Sequence, residues 1–159
     1  MTDPLRFRIT ALPAEEFAPL FRLSDTELRS RGMLRMVADA KPGFPCRVSL
    51  EDAEVGETVI LLPFVHHRTE SPYRASGPIF VRECAATAAP DVDEVPDAVR
   101  TRLLSVRAYD AEGMMVRSEV VEGNELADCA RRHFADPSVA ALHVHNARAG
   151  CYSCRIERA

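Results

Sequence analysis

His143-Val144-His145-Asn146-Ala147-Arg148-Ala149-Gly150-Cys151-Tyr152-Ser153-Cys154-Arg155 is the stretch that decides how the chain is read. Upstream residues continue an alternation, with Ala140, Leu142 and Val144 on one face and Ala141, His143 and His145 on the other. Residues 151 to 157 alternate as well, with Tyr152, Cys154 and Ile156 against Cys151, Ser153 and Arg155. Two such runs flanking a polar, glycine-containing segment predict a β-hairpin. A loop of residues 146 to 150 sets Val144 against Tyr152, Leu142 against Cys154 and Ala140 against Ile156. A loop one residue shorter pairs Val144 with Ser153 and mixes the two faces. Because a one-residue slip flips every side chain, the apolar pattern selects the longer loop. The polar face then carries His145 beside Cys151 and His143 beside Ser153. Directly opposed Cβ atoms lie about 4.5–5.5 Å apart, so the expected register brings His145 and Cys151 into contact.

Working outward, the other segments read mostly as short strands. Leu5 to Thr10 alternates; Pro13 opens a helix that Pro19 bends or splits. Ser24-Asp25-Thr26-Glu27 is a capping box, with Gly32 as a stop signal. Met33 to Ala38 is a candidate second strand, and Cys46, Val48 and Leu50 share one face of a third. Glu57 to His66 is apolar on both faces, the mark of a central strand, and ends in His66-His67, which alternation points to opposite sides. Ile79 to Arg82 follows a turn-rich loop, and Pro96 to Leu103 reads as a helix. Leu104 to Tyr109 and Met114 to Val121 form a hairpin around Asp110-Ala111-Glu112-Gly113. A helix capped by Asn124 and running to about Phe134 turns Leu126, Cys129, Ala130 and His133 inward. The expected class is α+β: one domain over 1–159, a mostly antiparallel or mixed sheet and three or four short helices.

Composition narrows the partners. The chain has 159 residues, 47% apolar and 28% charged, with net charge −4, so no electrostatic case exists for nucleic acid or an anionic membrane. The longest apolar run, Val59 to Val65, is too short to span a bilayer, and Met1-Thr2-Asp3-Pro4 lacks the features of a secretory leader. Five cysteines without an export signal predict reduced thiols and a cytoplasmic location. A free edge strand at the C-terminus would favour a homodimer.

Pro42-Gly43-Phe44-Pro45-Cys46-Arg47, Ser71-Pro72-Tyr73-Arg74-Ala75-Ser76-Gly77-Pro78-Ile79-Phe80, Leu104-Ser105-Val106-Arg107-Ala108-Tyr109-Asp110, and His143-Val144-His145-Asn146 with Gly150-Cys151-Tyr152 together resemble the bacterial family catalogued as domain of unknown function 1203. The resemblance implies a small single-domain bacterial protein and brings no activity, ligand or catalytic residue with it. Cys154 departs from the small residues the family carries there, which argues against a redox pair with Cys151.

Three chemistries are open at the hairpin. His143-x-His145 sets two imidazoles on one strand face; with Cys151, or with His66 or His67 from another strand, they supply the ligands that zinc or another divalent metal takes. A His145–Cys151 pair is alternatively a catalytic base and nucleophile, since a neighbouring imidazolium lowers a thiol pKa. Asn146 and Arg155, with Arg74 and Ser76 from the earlier loop, are the candidate ligand-binding groups for a small polar or anionic molecule. Cys151-x-x-Cys154 is rejected as a redox motif because no helix follows it. The function classes left are a metal-dependent or cysteine-based small enzyme, a non-catalytic small-molecule binder, and a protein-interaction domain.

Overall fold

The computed structural model describes residues 5–159; Met1-Thr2-Asp3-Pro4 lies outside the described residues. Two antiparallel sheets carry the chain. The larger is ordered β1 (Phe7–Thr10), β8 (Tyr152–Arg158), β7 (Ala141–Asn146), β5 (Leu103–Tyr109), β6 (Met115–Glu122). The smaller is β2 (Leu34–Val37), β3 (Thr58–His67), β4 (Ala75–Arg82). Around them lie α1 (Ala14–Phe17), α2 (Asp25–Ser30), α3 (Asp97–Arg100) and α4 (Leu126–Phe134). The class is α+β, and among the described residues no helix is long and apolar enough to cross a membrane.

Period-two patterning gives the larger sheet two unlike faces. Ile9, Leu104, Val106, Leu142, Val144, Cys154 and Ile156 are buried on one, against Leu126, Cys129, Ala130 and Phe134 of α4. The residues between them point the other way: Arg107 pairs with His143 and Ser105 with His145 across β5 and β7, and His143 pairs with Arg155 across β7 and β8. The smaller sheet covers part of this second face. Its central β3 is apolar on both sides, as the sequence predicts, and buries Ile60 and Leu62 with Phe17, Leu28, Val48, Ile79 and Tyr152.

The terminal hairpin corrects the expected register. Asn146 N–H donates to the Cys151 carbonyl at 2.8 Å, so the turn is the shorter one, and His145 faces Tyr152. From there a bulge absorbs Ser153, placing Val144 opposite Cys154 and Leu142 opposite Ile156. The bulge restores the sorting of faces that the shorter loop would otherwise destroy. It also turns Tyr152 onto the histidine face and leaves Cys151 opposite Asn146 rather than beside His145.

Other expectations fare variously. The capping box is formed, with Ser24 Oγ accepting from Glu27 N–H and Glu27 Oε2 accepting from Ser24 N–H. Pro19 does split the first helix, a 3-10 segment following α1. Cys46 to Leu50 is a turn rather than a strand, closed by Leu50 N–H to the Cys46 carbonyl and tied to β4 by Arg47 N–H to the Phe80 carbonyl. Asn124 sits inside a 3-10 turn and does not cap α4. The C-terminal strand is no free edge: β8 is paired on both sides, by β1 and β7. That removes the sequence argument for a homodimer at this strand.

Gly123 is packed where no side chain fits, because a Cβ there would lie 2.3 Å from the Arg100 carbonyl oxygen. Gly123→Ala is expected to cost about 1–3 kcal/mol in urea unfolding. Gly77→Ala, with no atom within 4 Å of its would-be Cβ, should stay within about 0.5 kcal/mol of the parent.

Candidate functional site

The histidine face becomes a site where β3 ends against the larger sheet. His143 and His145 project from β7 two residues apart. A second bulge, between Val65 and His67, lets both His66 and His67 reach them, although simple alternation sends those two apart. The His66 ring lies 4.8 Å from that of His145, edge to face, and stacks on Tyr152 at 5.3 Å with planes 5° apart. The His67 ring is 5.0 Å from that of His143 and 3.9 Å from that of Tyr109. His66, His143 and His145 each offer a ring nitrogen, all within 4.8 Å of one another. His67 is engaged elsewhere, its Nε2 3.0 Å from the Gly113 carbonyl oxygen.

His66, His143 and His145 are neutral. Burial holds His143 down to about 3 and His66 and His145 to about 4. Positive neighbours add to it: Arg107 acts on His66 and His145, and Arg155 acts on His143. His145 Nδ1 lies 2.9 Å from the Gly150 carbonyl oxygen, which can only accept, so Nδ1 carries the proton and Nε2 presents a bare lone pair. That Nε2, His66 Nδ1 and His143 Nδ1 are buried without hydrogen-bond partners. Arg155 Nη1 stands 3.4 Å from His143 Nε2, a long contact, while its Nε is held by Glu157 at 2.7 Å. A cavity of about 410 Å³ lined by His66, His143, Tyr109, Tyr152 and Arg155 opens beside the cluster.

The predicted site residues therefore separate. His143, His145 and Arg155 come together. Cys151 and Asn146 line a different cavity, which no histidine enters, so the direct His145–Cys151 pair expected from the longer loop is not formed. Arg74 and Ser76 are exposed on the β4 side and line neither cavity. Tyr152, Tyr109 and Arg107 are the residues that sequence reading missed. Arg107 and Tyr109 alternate correctly on β5 to reach this face, and only the strand order, absent from the sequence, makes them neighbours of His143.

Glu119, Cys129 and His133 form a second convergence of ligand-type side chains. It is partly engaged already, although both ring nitrogens of His133 are buried without a hydrogen-bond partner. Cys129 Sγ donates to Glu119 Oε1 at 2.9 Å, Arg132 Nη2 donates to the same oxygen at 2.7 Å, and His133 Nε2 lies 3.1 Å from it. Burial and the carboxylate push the Cys129 thiol up to about 12, so it stays protonated.

Fold and site together define an α+β protein in which two antiparallel sheets enclose a buried cluster of neutral imidazoles beside a small polar cavity. The chain belongs to the family described as "Protein of unknown function (DUF1203)", whose model matches residues 43–158 and so takes in β3, β7 and β8. No curated protein and no solved structure matches the chain.

Depressed histidine pKa values fix a sign for stability against pH. The unfolded chain protonates these rings near 6.5 and the folded one only near 3–4, so stability is present above pH 6.5 and is lost as pH falls towards 4. For chelator-treated protein, the urea midpoint should drop across that window. Buried His143 alone supplies a slope of up to about 1.4 kcal/mol per pH unit, and His143→Gln should flatten the curve.

Proposed function

We propose that this protein binds a divalent transition metal, with zinc the preferred ion, through His66, His143 and His145, and that the ion works on a small anionic ligand in the adjoining cavity. The observation that carries the reading is the convergence of three neutral imidazoles, His143 and His145 buried and His66 half-buried, each with a buried, unpartnered nitrogen. Unsatisfied buried polar atoms are costly, and a cation held by the bare Nε2 of His145 and the unpartnered Nδ1 atoms of His66 and His143, with the His143 proton moved to Nε2, would remove that cost at all three. Three histidines with a fourth position open is the donor set of catalytic rather than structural zinc. The Gly150 carbonyl supports it by fixing the His145 tautomer, as outer-shell acceptors do for metal-bound histidines.

The ligand's charge follows from the surroundings. Arg107 and Arg155 flank the cluster, and Arg155 lines its cavity. Arg155 gives up its long contact to His143 when the ion takes that ring, and then faces the cavity as a carboxylate or phosphate partner. Metal-assisted hydrolysis of a small anionic substrate is the reaction class this arrangement serves best.

Metal content of untagged protein by mass spectrometry is expected near one ion per chain. His66→Ala, His143→Ala and His145→Ala should each weaken binding beyond the roughly 10–100-fold typical of lost outer-shell groups, whereas Cys151→Ala should leave it unchanged. Cobalt-substituted protein should show no thiolate-to-cobalt charge-transfer absorption. No stoichiometric metal, or a metal lost with Cys151, overturns the three-histidine site.

A further inference from the structure

Arg47 is a buried guanidinium, 3% exposed, with no carboxylate at ion-pair distance among the described residues. Its Nε donates to the Tyr152 carbonyl at 2.7 Å and its Nη1 to the Pro45 carbonyl. Both acceptors are neutral, so its charge is hydrogen-bonded but not balanced. Burial lowers it only to about 10, so it remains a cation at neutral pH. Buried cations are ordinarily paired, and an unpaired one calls for a counter-charge.

Arg47 lines a cavity of about 530 Å³ between the Pro42–Arg47 segment and the turn joining β7 to β8. Around it stand Arg102, Arg148, Asn146 and Cys151. Arg102 is neutralised by Asp52 at 2.5 Å, and the acid at the cavity wall, Glu122, is exposed. Arg148 is exposed and is free to fold over the opening. Asn146 Oδ1 is buried without a partner, an acceptor waiting for a donor.

We infer that this cavity is a binding site for a small oxyanion, a carboxylate or a phosphate, whose negative group sits on Arg47 with Arg148 closing over it and whose hydroxyl or amino donor reaches Asn146 Oδ1. The planar fork of arginine suits both anions. The site is separate from the histidine cavity, and Cys151 at its wall makes occupancy readable.

The test uses the chain with Cys84→Ser, which removes the exposed thiol and leaves Cys151 as the one that is not buried. Metal-stripped protein is alkylated with iodoacetamide, and Cys151 modification is followed by mass in rising inorganic phosphate or acetate, with sodium chloride holding ionic strength constant. Either anion should slow the reaction saturably, by roughly tenfold at about ten times its dissociation constant. Protection by phosphate alone marks a phosphoryl ligand, and protection by acetate alone or by both marks a carboxylate-sized one. Arg148→Ala should raise the half-protecting concentration severalfold without affecting the fold, and Arg47→Lys, which loses the fork, should abolish saturation. Equal rates in phosphate, acetate and chloride overturn the proposal, as does protection that Arg148→Ala leaves untouched.

Discussion

The hydrogen bond from Arg47 Nε to the Tyr152 carbonyl holds the two sheets in the relation that the rest of the molecule uses. It reaches from a turn tied to β4 to the residue beside the β8 bulge. The Arg47 carbonyl in turn accepts from Leu12 N–H at 3.0 Å, so the segment after β1 is anchored at this turn too. Tyr152 is thereby fixed with its ring inside the smaller sheet's core and against His66. That anchor adds to the β7 pairing and apolar packing that keep the Tyr152 ring against the imidazole cluster.

Much of this fold is legible in the sequence because period-two patterning survives wherever a strand has one buried face. The apolar identity of Leu142, Val144, Cys154 and Ile156, the central position of β3 and the inward face of α4 follow from that rule. The bulges escape it. An extra residue at Ser153 shifts which residues oppose which, so pattern matching puts Cys154 and Ile156 on the right face but Tyr152 on the wrong one, and pairs the wrong partners. The bulge beside His67 conceals in the same way that His66 and His67 meet one cluster. Half of the candidate site, the His143-x-His145 pair and Arg155, is therefore visible in sequence. His66 was one of two choices, and Arg107 and Tyr109 depend on strand order.

The two clusters of ligand-type residues differ in who supplies the partner. At Glu119 a carboxylate satisfies the thiol and an arginine and lies 3.1 Å from the histidine, whose ring nitrogens still lack hydrogen-bond partners. Around His66, His143 and His145 the charged neighbours are arginines, which cannot accept a hydrogen bond and only hold the rings neutral. Similar residue types thus gather around a carboxylate in one place and among arginines in the other. The difference lies in the sign of the surrounding charge.

The interior position of β8 bears on how the molecule comes to exist. β1 pairs with β8, Phe7 against Arg158, so the edge of the larger sheet joins segments from opposite ends of the sequence. Such a contact closes a loop of nearly the whole chain, and pairing of this range comes late and slowly. On a ribosome, β3 with its two histidines has long emerged before β7 and β8 are translated. Until then the imidazoles of His66 and His67 face water and β1 has no strand to join. The candidate site is thus among the last features this chain completes.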